Sequence, residues 1–170
     1  MHHIIGVFGP PRVGKTSLIL RSCGLNPFDL PYEPTIEDSH CTRIAVDGDL
    51  CTVHFVDTGG SECCNDHLRD QWTRNCRGIV FVYDISDAST FCLVREQLYA
   101  VHAFLLNLYK QFPTTPTRLI AIVGNKADKR PREVLETEGR QLADEHGAIF
   151  WETSAVDAKG FDGACINLLR

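Results

Sequence analysis

"GPPRVGKTSL", Gly9–Leu18, is the stretch on which the fold turns. Gly9–Thr16 fits the pattern G-x-x-x-x-G-K-[ST]. The apolar run IIGVF (Ile4–Phe8) precedes it and the helix-like SLILRSC follows. A glycine loop between a strand and a helix turns successive backbone N–H groups inward. The helix N-terminus adds positive potential, so such a loop binds polyphosphate. Lys15 is placed to reach the β- and γ-phosphates of a nucleoside triphosphate, and Thr16 to offer its hydroxyl to Mg2+. Gly9, Arg12, Val13, Gly14 and Ser17 are expected to line the nucleotide beside them. A chance match in an ordinary turn would not carry a strand before it and a helix after it. The loop is nonetheless crowded by Pro10, Pro11 and Arg12, which raises the question of whether it cleaves a triphosphate or only holds one.

Working outward, strand-like and helix-like segments alternate. RIAVDGDLCTVHFVD reads as a hairpin turning at Asp47-Gly48. GIVFVYDI, RLIAIVGNK and the shorter AIFWETS read as buried strands. Phe91, Val94, Leu98, Val101, Leu105 and Leu108 recur at spacings of three and four, one face of a long amphipathic helix taken as core. RPREVLETEGRQLADEHG predicts a helix opened by Pro131 and closed by Gly147, and KGFDGACINLLR a last one. The expectation is an α/β fold: a six-stranded, mostly parallel sheet with helices on both faces and ligands at the carboxyl ends of the strands. FPTTPT is too short a loop to separate domains, so residues 1–170 are expected to form a single domain.

The 170 residues are 44% hydrophobic and 23% charged, the balance of a globular domain with a sizeable core, and the net charge of −5 disfavours a nucleic-acid partner. There is no apolar run of about 18 residues that could span a membrane, and MHHIIGVFGP lacks the apolar core of a secretion signal, so the expected compartment is the cytoplasm. Eight cysteines show no CxxC or zinc spacing and are read as reduced thiols, with Cys63-Cys64 set apart by its place in a loop expected to be mobile.

Two further motifs carry chemistry. Asp57 closes the strand TVHFVD beside the phosphate loop, where a carboxylate can hold the shell of a Mg2+ ion, and Gly59-Gly60 follow it. GNKAD (Gly124–Asp128) follows another buried strand. Asp128 can there accept hydrogen bonds from guanine N1–H and its N2 amino group. Adenine offers neither and would leave the carboxylate unpaired. Asn125 and the stem of Lys126 would flank the base.

With "GPPRVGKT", Thr35 in "YEPTIED", "DTGG", "NKAD" and "TSA" standing in that order, the chain resembles a Ras-type small GTPase over essentially its whole length. The resemblance implies the P-loop NTPase fold, GTP and GDP as ligands with Mg2+, and a molecular switch whose loops are ordered by the γ-phosphate. It implies that Thr35 binds Mg2+ and the γ-phosphate, that the Gly60 N–H contacts the γ-phosphate and that Phe28 packs on the guanine. It further implies that Ala155, beside Ser154, offers its N–H to guanine O6, so that Lys15, Thr35, Gly60 and Ser61 form the catalytic set and Thr16, Thr35 and Asp57 the metal set. Partners implied by family are effector proteins at Thr35–Asp38, an exchange factor and a GTPase-activating protein. Glu37 and Asp38 favour a basic partner surface. The chain stops at Arg170 without the family's lipidated cysteine tail. The chain is therefore read as trimmed, with attachment to the cytoplasmic face of a membrane expected only through that tail.

Three departures from the family pattern bear on turnover. Pro11 and Arg12 stand where two glycines are usual, Ser61 stands where a water-orienting glutamine belongs, and SCGLN carries one residue more than expected before the first switch. The reading is a GTP/GDP switch with impaired hydrolysis. The alternative is a module that holds nucleotide without useful turnover. A small P-loop kinase would not need N-K-x-D and is disfavoured.

Overall fold

A computed structural model describes residues 2–29, 37–60, 66–157 and 160–170. In chain order these form β1 (His2–Phe8), α1 (Lys15–Ser22), β2 (Glu37–Val46), β3 (Asp49–Thr58), α2 (Asp66–Asn75), β4 (Gly78–Asp84) and α3 (Ala88–Gln111). There follow β5 (Leu119–Asn125), α4 (Glu136–Glu145), β6 (Ile149–Glu152) and α5 (Phe161–Leu169). The strands make one six-stranded sheet in the order β2-β3-β1-β4-β5-β6. β2 alone runs antiparallel, paired with β3 from Glu37↔Thr58 to Val46↔Asp49, and it lies at the sheet edge.

The pleat sorts the apolar residues to two faces, as period-two alternation requires. Ile5 and Val7 of β1, Val80 and Val82 of β4 and Ala121 and Val123 of β5 pack with Leu18 and Ile19 of α1 and Phe161, Cys165 and Leu168 of α5. Phe8, Ile79, Phe81, Tyr83, Ile120 and Ile122 face the other way, onto Trp72 of α2, the α3 stripe and Leu142 of α4. In that stripe Val94, Leu98, Val101, Leu105 and Leu108 are buried, while Phe91 packs at its margin. Asp87 opens α3 by accepting from the Ser89 N–H at 3.0 Å.

Turns obey the residues at them. Asp47 and Gly48 have φ of 51° and 95°, the pair of positive values that a two-residue hairpin needs. After α1, Gly24 at φ 76° lets its own N–H reach Arg21 O while the Leu25 N–H reaches Leu20 O, a Schellman closure.

One boundary differs from expectation. The helix predicted to open at Pro131 begins at Glu136. The N–H groups of Glu133 and Val134 both go to Ile85 O, and Val134 is buried, so this segment is tied to the end of β4 instead of coiling. The true start is marked by Glu138, whose Oε2 accepts from the Leu135 N–H at 2.7 Å.

Candidate nucleotide site

The loop from Gly9 to Gly14 crosses the carboxyl ends of β1 and β4. Gly9 lies so close to β4 that a Cβ there would sit 2.2 Å from Val82 O. Arg12 and Gly14 take positive φ, 65° and 98°, while Val13 between them is fully buried in the core. Lys15 begins α1, and its buried Nζ donates to Gly9 O at 3.0 Å and Pro10 O at 3.1 Å, curling the loop around the ammonium. Thr16 and Ser17 follow, half-buried, in the first turn of α1.

Asp57 reaches this loop from β3. It is fully buried, and its Oδ2 accepts from Thr16 Oγ1 at 2.5 Å. Its Oδ1 has no hydrogen-bond partner among the described residues. Burial pushes the Asp57 carboxyl above the usual carboxylate range, against the opposing pull of the Thr16 hydrogen bond and the Lys15 ammonium. A carboxylate oxygen left unpaired beside a hydroxyl is a pair of hard oxygen donors, and these residues fit a Mg2+ ion. Thr58 Oγ1 donates to Val7 O at 2.9 Å and fixes the end of β3 to β1. Two residues on, Gly60 lies against the phosphate loop: a Cβ on it would fall 2.3 Å from both N and Cα of Pro11. Thr35, Ser61 and Cys63-Cys64 lie outside the described residues, as does the side chain of Glu37.

The end of β5 supplies the other half. Asn125 is buried, its Nδ2 donating to Val13 O at 2.8 Å and its Oδ1 accepting from Thr153 Oγ1 at 3.1 Å. Lys126, at φ 65°, donates from Nζ to Arg12 O at 2.7 Å. Asp128 Oδ1 accepts from Ser154 Oγ at 2.7 Å, and Ser154 Oγ in turn accepts from the Asp157 N–H. Ala155 is buried, its carbonyl accepting from Arg21 Nε at 2.8 Å, and the same guanidinium lies 5.5 Å over the ring of exposed Phe28. The phosphate loop, Asp57 and the segments 125–128 and 154–155 thus converge at one end of the sheet.

The model of the Ras family matches residues 4–170. The chain belongs to the Ras family. It is 38% identical over 177 residues to Protein ras-2 of Neurospora crassa, across 96% of this chain and 76% of that protein. It is 34% identical over 179 residues to Ras-like protein 1 of Pyricularia oryzae, across 99% and 73%. To Ras-like protein rasC of Dictyostelium discoideum it is 35% identical over 169 residues, across 96% and 82%. A member of this family is a small GTPase, a GTP-binding switch, and the sheet order and phosphate loop of this chain are those of its P-loop NTPase fold. Among the described residues no helix is long and apolar enough to cross a membrane.

Three residues of this Ras-family site escaped the sequence reading. Asp84, at the end of β4, pairs through Oδ2 with Lys126 Nζ at 2.6 Å, and its Oδ1 accepts from the N–H and the hydroxyl of Ser86. Burial alone would raise its pKa. The hydrogen bonds from Lys126 and Ser86 outweigh that and hold the carboxyl below its ordinary value. The signal was available, since an aspartate closes β4 as one closes β3. Thr153 and Arg21 carry no sequence mark, because their roles depend on partners 28 and 134 positions away.

Proposed function

We propose that this chain is a single G domain that binds GTP and GDP with Mg2+, presents its GTP state to effectors and cleaves GTP slowly. In this reading the Lys15 ammonium sits against the β- and γ-phosphate oxygens, with the N–H groups of the loop from Gly9 to Ser17 around them. Thr16, Asp57 and Thr35 would hold the Mg2+ ion, which supplies charge neutralisation on the β- and γ-phosphate oxygens. Asp128, oriented by the Ser154 hydroxyl, accepts from guanine N1–H and N2, Ala155 offers its N–H to O6, and Phe28 covers the base. Asn125 and Lys126 act from behind, since both donate to carbonyls of the phosphate loop.

Hydrolysis requires a water held in line with the γ-phosphorus, so that its oxygen attacks while the bond to the bridging oxygen breaks and GDP leaves with that electron pair. Thr35 and Gly60 would order around the γ-phosphate, and Ser61 occupies the position from which a longer carboxamide would fix the water. A serine hydroxyl stands two bonds nearer the backbone than a glutamine amide. The observation that carries slow cleavage is the serine at position 61, and Pro11, which lies close against Gly60, adds bulk that in this reading would hinder an activating protein's arginine. In this reading the effector surface is Thr35–Asp38: β2, which begins at Glu37, has no strand on its outer side among the described residues and Asp38 is exposed, which would suit a basic partner strand. Membrane attachment, on the cytoplasmic face, would come through a C-terminal tail of the kind the family carries.

The test is single-turnover hydrolysis of preloaded GTP in the unmutated chain, Ser61→Gln and Pro11→Gly. Ser61→Gln should accelerate cleavage at least about tenfold, equivalent to about 1.4 kcal/mol off the barrier. Pro11→Gly should mainly restore the response to an activating protein. An unmutated rate equal to that of a glutamine-bearing relative, or no change on Ser61→Gln, sinks the slow-cleavage reading. No measurable turnover in any variant would favour the nucleotide-holding module.

A further inference from the structure

A second pocket, of about 580 Å3, opens at the amino ends of the strands, the opposite end of the sheet from the phosphate loop. Its walls include His2 and His3 of β1, Asn75 at the end of α2, Arg77, Thr117 and Arg118. The chain as a whole carries a net charge of −5, yet no carboxylate lines this pocket. Neither arginine is in an ion pair among the described residues.

The plain account of such a patch is a cap on the C-terminal end of α2, where cations are favoured. Arg118 does serve that end, donating from Nη2 to Arg74 O at 2.8 Å and from Nη1 to Pro116 O. Its Nε is buried and has no hydrogen-bond partner among the described residues. Arg77 does not serve α2 at all. Its backbone is pinned between β1 and β5, with its N–H on Ile4 O and its carbonyl taking the Leu119 N–H, while its exposed side chain makes no described hydrogen bond. Burial and, behind it, the charge of Arg77 hold the His3 imidazole below its ordinary pKa, as expected where positive potential is uncompensated.

We propose that this pocket is an anion site for phosphate monoester groups, carried by a soluble polyphosphorylated molecule or by a lipid headgroup. The exposed Arg77 guanidinium can match phosphate oxygens two at a time, the Arg118 charge adds positive potential behind it, and Asn75 and Thr117 add neutral donors. The volume lies in the range of small-molecule sites, which suits a headgroup-sized ligand better than a bare ion.

The experiment keeps the chain loaded with GDP and Mg2+, so that the phosphate loop is filled. Inositol trisphosphate is titrated calorimetrically, and vesicles of phosphatidylcholine with and without phosphatidylinositol bisphosphate are used in cosedimentation. One saturable site per chain is expected, insensitive to added GDP. Arg77→Gln should weaken it about tenfold or more with nucleotide exchange and thermal midpoint unchanged, because the side chain holds nothing in the fold. Headgroup binding with vesicle recruitment assigns a lipid source, and headgroup binding without recruitment assigns a soluble ester. Either supports the site. Absence of saturable binding, displacement by GDP, or an Arg77→Gln affinity equal to that of the unmutated chain overturns it.

Discussion

Replacing Asn125 with alanine separates the work this residue does inside the fold from any contact with a base. Its amide joins two elements far apart in sequence, donating to Val13 O at 2.8 Å and accepting from Thr153 Oγ1 at 3.1 Å. Val13 is 0% exposed, Thr153 1% and Asn125 itself 1%, so water cannot replace what is lost. Leaving a buried polar group unpaired costs about 1–3 kcal/mol, and the substitution strands two. The Thr153 hydroxyl can rotate towards another acceptor, whereas the Val13 carbonyl cannot, which sets the expected loss at about 3 kcal/mol. Thr153→Val removes only the weaker of the two bonds and should cost about 1 kcal/mol. The assay is urea unfolding at a series of GDP concentrations. Ligand stabilises by a logarithmic term, so the concentration dependence gives affinity and the remainder gives intrinsic stability. Both should fall in Asn125→Ala, because the same bond that fills the core also tethers the phosphate loop. An intrinsic loss no larger than that of Thr153→Val would refute the two-bond account, and an unchanged GDP dependence would refute the tether.

Arg12 holds a left-handed backbone at φ 65° that a side chain disfavours. Arg12→Gly should therefore exceed Arg12→Ala in stability by about 1 kcal/mol, read as thermal midpoints, and equal midpoints would remove the strain from consideration. Asp84 has its carboxyl held below the usual range in the folded chain. Its contribution is thus present above the ordinary carboxylate value of 3.8 and lost as pH falls through the depressed folded one. Asp84→Asn should cost about 1–2 kcal/mol near neutrality, with the two stability curves converging in acid; a constant gap across pH would show that charge is not what Asp84 contributes.

Much of this was legible because the deciding signals are local. The phosphate loop declares itself within Gly9–Thr16, the hairpin within Asp47-Gly48, and the α3 stripe within one helix. What was not legible depends on pairings that local pattern does not encode. Proline is a sound helix opener by its own geometry, but the N–H groups of Glu133 and Val134 were claimed by Ile85 O, and tertiary pairing moved the start of α4 to Glu136. Asp84 read as the end of a strand, and only the approach of Lys126 makes it the counter-charge behind the phosphate loop. Arg21 read as one polar position of α1, and only the fold brings it between the Ala155 carbonyl and the Phe28 ring.

The crowding of the phosphate loop becomes intelligible from where its anchors attach. Asn125 and Lys126 hold it through the carbonyls of Val13 and Arg12, and Lys15 holds it through the carbonyls of Gly9 and Pro10. None of these four bonds or their acceptors depends on the side chain at positions 10 to 12, so exchanging small residues for proline and arginine leaves the anchorage in place. The glycines that remain are those where a Cβ has no room: Gly9 against Val82 O and Gly14 against Asn125 Nδ2, at 2.2 and 2.4 Å. The side chains that changed point elsewhere, with Arg12 exposed and Pro11 set against Gly60. In the proposed reading, holding a nucleotide draws on the anchored backbone, whereas cleaving one draws on Ser61 and on the face of the loop at Pro11 and Gly60. The two would then be separable, with the departures at Pro11 and Ser61 falling on the second.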